Sequence, residues 1–176
     1  WRSVFRGFGV EPTQYRGAAE ALLRRLTKKG DIPSINALVD LGNLVSIRYA
    51  LPVAVIDARD IRGAITVRFA SGDERYTTLG QDGEDPPRAG EVIFSDEAGQ
   101  VIARRWCWRQ SESSAARAET SDIIITVEAH HLGARKDIDA ALQDLRELLA
   151  AYTGGAVEYG ILDASYPVIT NEAGAV

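Results

Sequence analysis

Residues 35–57 have the sequence INALVDLGNLVSIRYALPVAVID, and this stretch decides the fold class of the chain. Its first part, Ile35 to Tyr49, is apolar on most sides, which is typical of a buried helix. Ser34 precedes it and is the predicted N-cap. The run from Val53 to Asp57 is short, apolar and rich in β-branched residues, which predicts a strand. A buried helix therefore leads directly into a buried strand.

Three polar side chains interrupt this predicted helix on one stripe. Asn36, Asp40 and Asn43 are separated by four and three residues, so they share one face. Buried polar groups need a hydrogen-bond partner, so the stripe is solvated, bonded inside the protein or turned towards a cleft. The third alternative makes Asp40 and Asn43 candidate substrate-binding residues.

The remaining chain predicts a helix on either side of a block of strands. Apolar residues recur at helical spacing from Tyr15, and Gly30 ends that helix, whereas the first 14 residues are expected to be irregular. A second amphipathic helix is predicted from Lys136 to Ala151. This order predicts an α+β fold in a single domain over residues 1–176. Strands are expected at 65–70, 75–79, 91–96, 101–109, 123–128 and 157–162.

Composition and charge narrow the functional classes. The chain has 176 residues, one cysteine and a net charge of −5, with a pI near 5.1. This charge argues against strong non-specific nucleic-acid binding, which rests on neutralising many phosphates. A single cysteine rules out an internal disulfide framework and fits a reducing compartment, so we expect a cytoplasmic protein. No apolar run reaches the roughly 20 residues of a membrane span, so we expect no membrane partner. The chain begins with Trp1 and has no methionine, so we expect further sequence to precede it.

Motifs for metal, nucleophilic or phosphate-loop chemistry are not evident. His130 and His131 are adjacent and would point to opposite faces of a strand, and a zinc site needs three or four converging ligands. Cys107 lies between two tryptophans, which favours a packed thiol over a reactive one. The neighbouring arginines could lower the pKa of a thiol, so a reactive cysteine is the alternative. We therefore expect no metal and no cofactor. Ser113, His131 and Asp137 have the residue types of a catalytic triad, but almost any chain offers such a combination.

The segment from Arg104 to Arg109 interleaves cations with large aromatic rings. In a continuous strand, Arg104, Trp106 and Trp108 would share one face, and Arg105 and Arg109 the other. Guanidinium groups and indoles suit phosphate contacts and base stacking, so the three arginines are candidate RNA contacts. The alternative is a tryptophan-lined core with arginines at its rim.

Glu128 ends the apolar run from Ile123 to Val127. A carboxylate at the end of a buried strand is costly unless it is paired or useful. It could receive a substrate ammonium group, orient a water, or simply be solvated.

Several segments, taken in order, resemble the B3/B4 module of the phenylalanyl-tRNA synthetase β subunit. The resemblance covers roughly residues 15 to 150, and the stretch from Arg105 to Gln110 looks like the free-standing members of this family. No single motif is diagnostic, and the likeness lies in the order and spacing of the segments. They are 38–46, 51–57, 63–74, 91–96 and 120–129.

The resemblance implies an α+β fold with a β-sandwich-like mixed-sheet core flanked by helices. In the bacterial synthetase this module hydrolyses tyrosine wrongly esterified to the phenylalanine tRNA, so a trans-editing deacylase is implied. Glu128 matches the family glutamate that recognises the misacylated amino acid. Ala54 falls where the synthetase module has a histidine, so tyrosine specificity is not inherited.

Three hypotheses follow for function. The first is a deacylase in which Glu128 binds the substrate ammonium, Asp40, Asn43 and Trp108 line the cleft, and the arginines Arg104, Arg105 and Arg109 contact the acceptor end of tRNA. The second is a non-catalytic binder of tRNA or of an amino acid. The third is a structural or protein-interaction domain, which predicts an exposed Glu128 with no cleft beside it. A partner protein that adds tRNA affinity is compatible with each.

Overall fold

The computed structural model describes residues 1–81 and 83–170, and within them the chain forms four helices and six strands. The predicted α+β class is confirmed. The helices are α1 (Arg2–Gly7), α2 (Ala18–Lys29), α3 (Ala37–Tyr49) and α4 (Ala134–Tyr152), and the strands are β1 (Val53–Asp57), β2 (Thr66–Phe69), β3 (Val92–Ser95), β4 (Val101–Arg104), β5 (Arg109–Gln110) and β6 (Ile123–Val127).

The strands form two antiparallel sheets. β1 pairs with β6, with Ala54 opposite Thr126 and Val55 opposite Ile125. The second sheet has the order β2-β3-β4-β5, in which consecutive strands are neighbours. The two-stranded sheet therefore joins residues that are about 70 positions apart in the chain, and it brings the end of β6 beside the start of β1.

The β1–β6 sheet lies between the helices and the second sheet. On one side, α3 and α4 bury Val45, Leu145 and their neighbours against it. Gly42 makes the close approach possible, because a Cβ at this position would lie 2.7 Å from a methyl of Val55. On the other side, Ile56 packs against Phe94 and other residues of the second sheet. This layering produces the sandwich-like core that the resemblance implies.

Several local predictions about the helices need correction. The first 14 residues contain helix α1, because Phe5 packs into the core and anchors a short turn. The N-cap of α3 is Asn36 and not Ser34, since the Asn36 side chain accepts a hydrogen bond from the amide of Val39. Ser34 instead donates to the carboxylate of Asp40.

Three predicted strands also differ. Residues 75–79 contribute only isolated bridges, such as that between Thr78 and Ser111, because the chain there crosses between loops. Residues 157–162 form no strand and are largely exposed, so they lack a sheet partner. The predicted strand 101–109 is interrupted by a turn, described below. The last part of the predicted domain, 171–176, lies outside the described residues, as does residue 82.

Helix α4 is amphipathic, as its spacing predicts. Ala141, Leu145 and Leu149 are buried against the core, and Arg135, Asp139 and their neighbours face solvent. In the part of the chain that the structure describes, no helix is long and apolar enough to span a bilayer.

Candidate active site

Glu128 is held where the two strands of the small sheet end together. Its amide donates a hydrogen bond of 3.1 Å to the carbonyl of Pro52, which continues the β1–β6 pairing by one residue. One carboxylate oxygen, Oε2, accepts a hydrogen bond from the indole Nε1 of Trp106. Within the described residues, no hydrogen bond engages Oε1. One oxygen is therefore fixed, and the other has no protein donor among the described residues.

Residues 105–108 form the turn that delivers Trp106 to this carboxylate. Ala103 pairs with Gln110 and Arg104 with Arg109, so strands β4 and β5 are the arms of a hairpin. Arg105 and Trp106 have left-handed backbones, with φ of 47° and 61°, which is uncommon for non-glycine residues. The prediction of one alternating strand over 101–109 is therefore wrong. Trp106 leaves the sheet face and points towards Glu128.

A small cleft opens beside Glu128, and we call it the Glu128 cleft. Its volume is about 80 Å³, which is small for a ligand site. Most of its walls are apolar, and the predicted substrate-binding Trp108 is among them. The lining residues are Ala18, Pro52, Val53, Ala54, Ile56, Phe94, Ala103, Trp106, Cys107, Trp108, Arg109, Gln110 and Glu128.

Burial dominates the electrostatics of the cleft. It raises the pKa of Glu128 to about 7, although the hydrogen bond from Trp106 acts in the opposite direction. Burial also raises the pKa of the Cys107 thiol to about 12, and the negative charge of Glu128 adds to this effect. The thiol is therefore protonated at neutral pH, as expected for a packed cysteine. Glu128 is the group in this cleft that titrates near neutrality.

Thr126 is a second polar group on this side of the sheet, and sequence reasoning missed it. It lies directly opposite Ala54, and directly opposed residues of an antiparallel pair share a face. Ala54 lines the cleft, so Thr126 faces the same side of the sheet, but Thr126 is not among the lining residues. Its buried hydroxyl lacks a hydrogen-bond partner among the described residues. An unpaired buried hydroxyl suits an ordered water or a polar ligand atom.

The sequence of this chain matches the B3/4 domain family over residues 1–154. The chain belongs to that family. This B3/4 domain is 31% identical to the phenylalanine–tRNA ligase β subunit of Geobacter metallireducens over 172 residues, a match that covers 83% of the chain and 21% of the relative. It is 36% identical to the corresponding subunit of Bradyrhizobium diazoefficiens over 110 residues, covering 60% and 13% respectively.

A solved structure supports the fold. The chain is similar to an N-terminal fragment of the phenylalanyl-tRNA synthetase β subunit from Pyrococcus horikoshii, with a TM-score of 0.53 and 16% identity. The match covers 64% of this chain and 39% of that one. The chain spans between 11% and 21% of the length of these curated relatives. The resemblance inferred from the sequence is confirmed.

Two of the three arginines expected to contact RNA are buried. Arg104 is only 2% exposed, and its guanidinium donates to both carboxylate oxygens of Glu91 at 2.8 and 2.9 Å. It also donates to the carboxylate of Asp85 at 2.7 Å. Burial alone would lower the pKa of Arg104, but Glu91 and Asp85 hold it above its ordinary value. Arg104 is thus a core ion-pair residue and does not present a basic face.

Arg105 is also enclosed. It lies 3.9 Å from the ring centroid of Tyr15 and 4.4 Å from that of Trp108, with 9% of its surface exposed. It forms a 3.5 Å salt bridge with Glu91. Arg109, by contrast, is exposed, stacks on Trp108 at 4.7 Å and lines the Glu128 cleft. We therefore retain Arg109 and set aside Arg104 and Arg105 as RNA contacts.

Asp40 and Asn43 do not join the cleft. The carboxylate of Asp40 accepts hydrogen bonds from the Ser34 hydroxyl at 2.5 Å and the Ile35 amide at 2.9 Å, so it stabilises the entry to α3. Neither Asp40 nor Asn43 is among the residues that line the cleft. The stripe is bonded locally or partly solvated, so its assignment to substrate binding is set aside. Across residues 1–81 and 83–170, no cluster of three His, Cys, Asp or Glu side chains could hold a metal ion.

The raised pKa of Glu128 predicts that a neutral replacement stabilises the fold. The native protein binds this proton more tightly than the unfolded chain, so stability falls as pH rises from the ordinary pKa of 4.5 to about 7. We expect Glu128→Gln to raise the free energy of unfolding at pH 8 by about 3 kcal/mol, and by less than about 1 kcal/mol at pH 5. Urea unfolding at both pH values measures this difference. Exposed Glu119→Gln should show no such dependence, and equal curves for wild type and Glu128→Gln at pH 8 would contradict the burial argument.

Proposed function

We propose that this B3/4 domain binds the aminoacylated end of a tRNA and hydrolyses the ester, with the Glu128 carboxylate receiving the amino-acid ammonium group. The observation that supports this most is the position of Glu128: Trp106 fixes one oxygen, no hydrogen bond among the described residues engages the other, and the residue lines an apolar cleft. An unpaired carboxylate in apolar surroundings attracts a cation strongly. The third hypothesis, an interaction domain, predicts no such cleft and is not favoured.

The relatives support the class of ligand. The Geobacter metallireducens and Bradyrhizobium diazoefficiens proteins are β subunits of a ligase that acts on tRNA, by their names. Because this domain covers only part of those chains, tRNA binding is part of the proposal. Glu128 occupies the position of the family glutamate that recognises the misacylated amino acid, as the resemblance implies. Since charged tRNA is the substrate, we place the activity in the cytoplasm.

The chemistry needs few groups from the protein. A water oxygen adds to the ester carbonyl, the bond to the ribose oxygen breaks, and that oxygen takes a proton. The products are a free amino acid and an uncharged tRNA. Because the ester is already reactive, holding it against a positioned water supplies much of the acceleration.

The cleft favours a small amino acid. Its volume of about 80 Å³ is well below the roughly 300–1,000 Å³ of ordinary ligand sites, because the indoles of Trp106 and Trp108 form part of its walls. A tyrosine ring would require one of these indoles to move. We therefore propose glycine, alanine or serine esters as substrates in preference to tyrosine or phenylalanine esters.

A non-catalytic binder is the second candidate, and the lining of the cleft favours it. Ala54 supplies no imidazole where the synthetase module has a histidine. The Cys107 thiol is neutral at pH 7. Glu128 is therefore the one acid or base among the lining residues that titrates near neutrality. Ligand binding without turnover would identify this function.

A deacylation assay decides between the two candidates. The protein is incubated at pH 8 with tRNAs charged with glycine, alanine, serine, phenylalanine or tyrosine, and ester loss is followed against buffer. The deacylase proposal expects turnover of at least one small ester and slower turnover of the aromatic esters. No turnover of any ester by a folded protein would reject the enzyme and leave the binder.

A further inference from the structure

A second and larger groove lies beside the Glu128 cleft, and we call it the α2 groove. Its volume is about 410 Å³, which falls within the roughly 300–1,000 Å³ typical of ligand sites. One wall is a face of α2, and the other combines the start of the chain with the link between α3 and β1. The lining residues include Trp1, Arg2, Glu20, Arg24, Lys28 and Pro52.

The α2 groove is basic in a protein that is acidic overall. Arg2, Arg24 and Lys28 line it, and Glu20 is its one acidic lining residue. The Glu20 carboxylate is already paired with two arginines, because its Oε1 accepts a hydrogen bond of 2.8 Å from Arg2 and lies 3.6 Å from the Nε of Arg16. Among the described residues, Arg24 and Lys28 form no salt bridge. Two exposed cations one helical turn apart are therefore available to an anionic ligand.

The groove borders the Glu128 cleft. Pro52 lines both, and its carbonyl accepts the amide hydrogen bond of Glu128. Trp1 lines the groove, and its ring centroid lies 5.4 Å from that of Trp106, the residue that fixes the Glu128 carboxylate. A ligand lying along α2 would thus end beside the proposed acyl site. The groove also offers the Trp1 ring on which a base could stack.

We propose that the α2 groove binds the single-stranded 3′ end of the RNA whose acyl group enters the Glu128 cleft. This inference rests on the proposed function. Phosphates lie against Arg24 and Lys28, and the strand runs past Trp1 towards Pro52. The basic groove resolves the apparent conflict between a net charge of −5 and an RNA ligand, since the positive charge is local. It also replaces the buried Arg104 and Arg105 as the source of phosphate contacts.

Helix α2 offers a matched control. Arg25 and Lys29 repeat the spacing of Arg24 and Lys28, are exposed, and do not line the groove. Binding of uncharged bulk tRNA is measured for Arg24→Gln/Lys28→Gln and for Arg25→Gln/Lys29→Gln across a salt series. We expect the first pair to weaken binding about tenfold or more and to reduce the slope of log affinity against log salt by about 1.4, as two lost single-strand phosphate contacts require. The second pair should stay within about threefold of wild type. Equal effects of both pairs of substitutions, or no effect of either pair, would overturn the proposal that the α2 groove binds RNA.

A second assay separates this inference from the proposed function. An aminoacyl-adenosine ester carries the acyl group but no phosphate, so Arg24→Gln/Lys28→Gln should hydrolyse it as wild type does while losing activity on charged tRNA. An equal loss of hydrolysis rate on both substrates would contradict phosphate binding by Arg24 and Lys28. If no ester is hydrolysed but tRNA binding still depends on Arg24 and Lys28, RNA binding in the α2 groove is supported and the deacylase proposal fails.

Discussion

Glu128→Gln is expected to reduce kcat/KM for ester hydrolysis by about 100-fold or more, because the substrate ammonium loses its buried ionic partner. Truncating one side of a buried charge pair typically costs about 2–5 kcal/mol, and 2.7 kcal/mol corresponds to about 100-fold. Glutamine keeps the shape of the side chain and can still accept from the Trp106 indole. The change therefore tests charge rather than packing, and initial rates on the ester cleaved by the wild type measure it.

The pH profile provides the companion test. Because burial raises the pKa of Glu128 to about 7, the carboxylate of the free protein forms as pH rises through neutrality. We expect wild-type kcat/KM to rise across this range and the residual activity of Glu128→Gln to lack this limb. Glu119→Gln makes the same charge change at an exposed site and should match the wild type. A kcat/KM of Glu128→Gln within threefold of wild type would show that Glu128 does not bind the substrate ammonium group.

Arg104→Met is expected to destabilise the protein by about 3–5 kcal/mol, the usual cost of breaking a buried ion pair from one side. The substitution leaves Glu91, which is 7% exposed, without the guanidinium that bonds both its oxygens. It also removes the cation that lies 5.2 Å from the ring centroid of the fully buried Tyr76. Urea unfolding at pH 7 measures the loss.

Two comparisons make the Arg104 result specific. Arg109→Met removes the exposed neighbour in the hairpin and should change the free energy of unfolding by no more than about 0.5 kcal/mol. Arg104→Met combined with Glu91→Gln should recover part of the loss, because the buried carboxylate is then neutral. A loss below about 1 kcal/mol for Arg104→Met would show that the guanidinium is not a core element.

Most of the helices and paired strands follow from local sequence, but α1 and the hairpin at the site do not. The apolar runs of β1 and β6 reflect burial between two layers, and the helical spacing in α2 and α4 reflects burial on one side, and a sequence pattern reports both directly. The turn at Arg105 and Trp106 uses left-handed backbones without glycine, so no turn residue marks it. Its geometry depends on distant partners, such as the carbonyl of Val92 that accepts from the Trp106 amide.

The same limit applies to the candidate site. Glu128 was predicted because a carboxylate at the end of an apolar strand is unusual and because the family resemblance points to it. The sequence does not predict the burial of Arg104, because arginine is ordinarily exposed and its partner Glu91 lies 13 residues earlier, just before β3. Arg24 and Lys28 look like an ordinary solvated helix face in the sequence. Only the position of α2 beside Pro52 shows that they border a groove.

The central claim is that the Glu128 carboxylate receives the ammonium of an aminoacyl group, whether or not hydrolysis follows. Calorimetry at pH 8 with a non-hydrolysable amide-linked alanyl-adenosine tests it directly, using wild type, Glu128→Gln and a ligand that lacks the amino group. We predict that wild type binds the amino ligand at least about tenfold more tightly than Glu128→Gln does, and that the two proteins bind the deaminated ligand equally. Equal affinity of the two proteins for the amino ligand would contradict the claim.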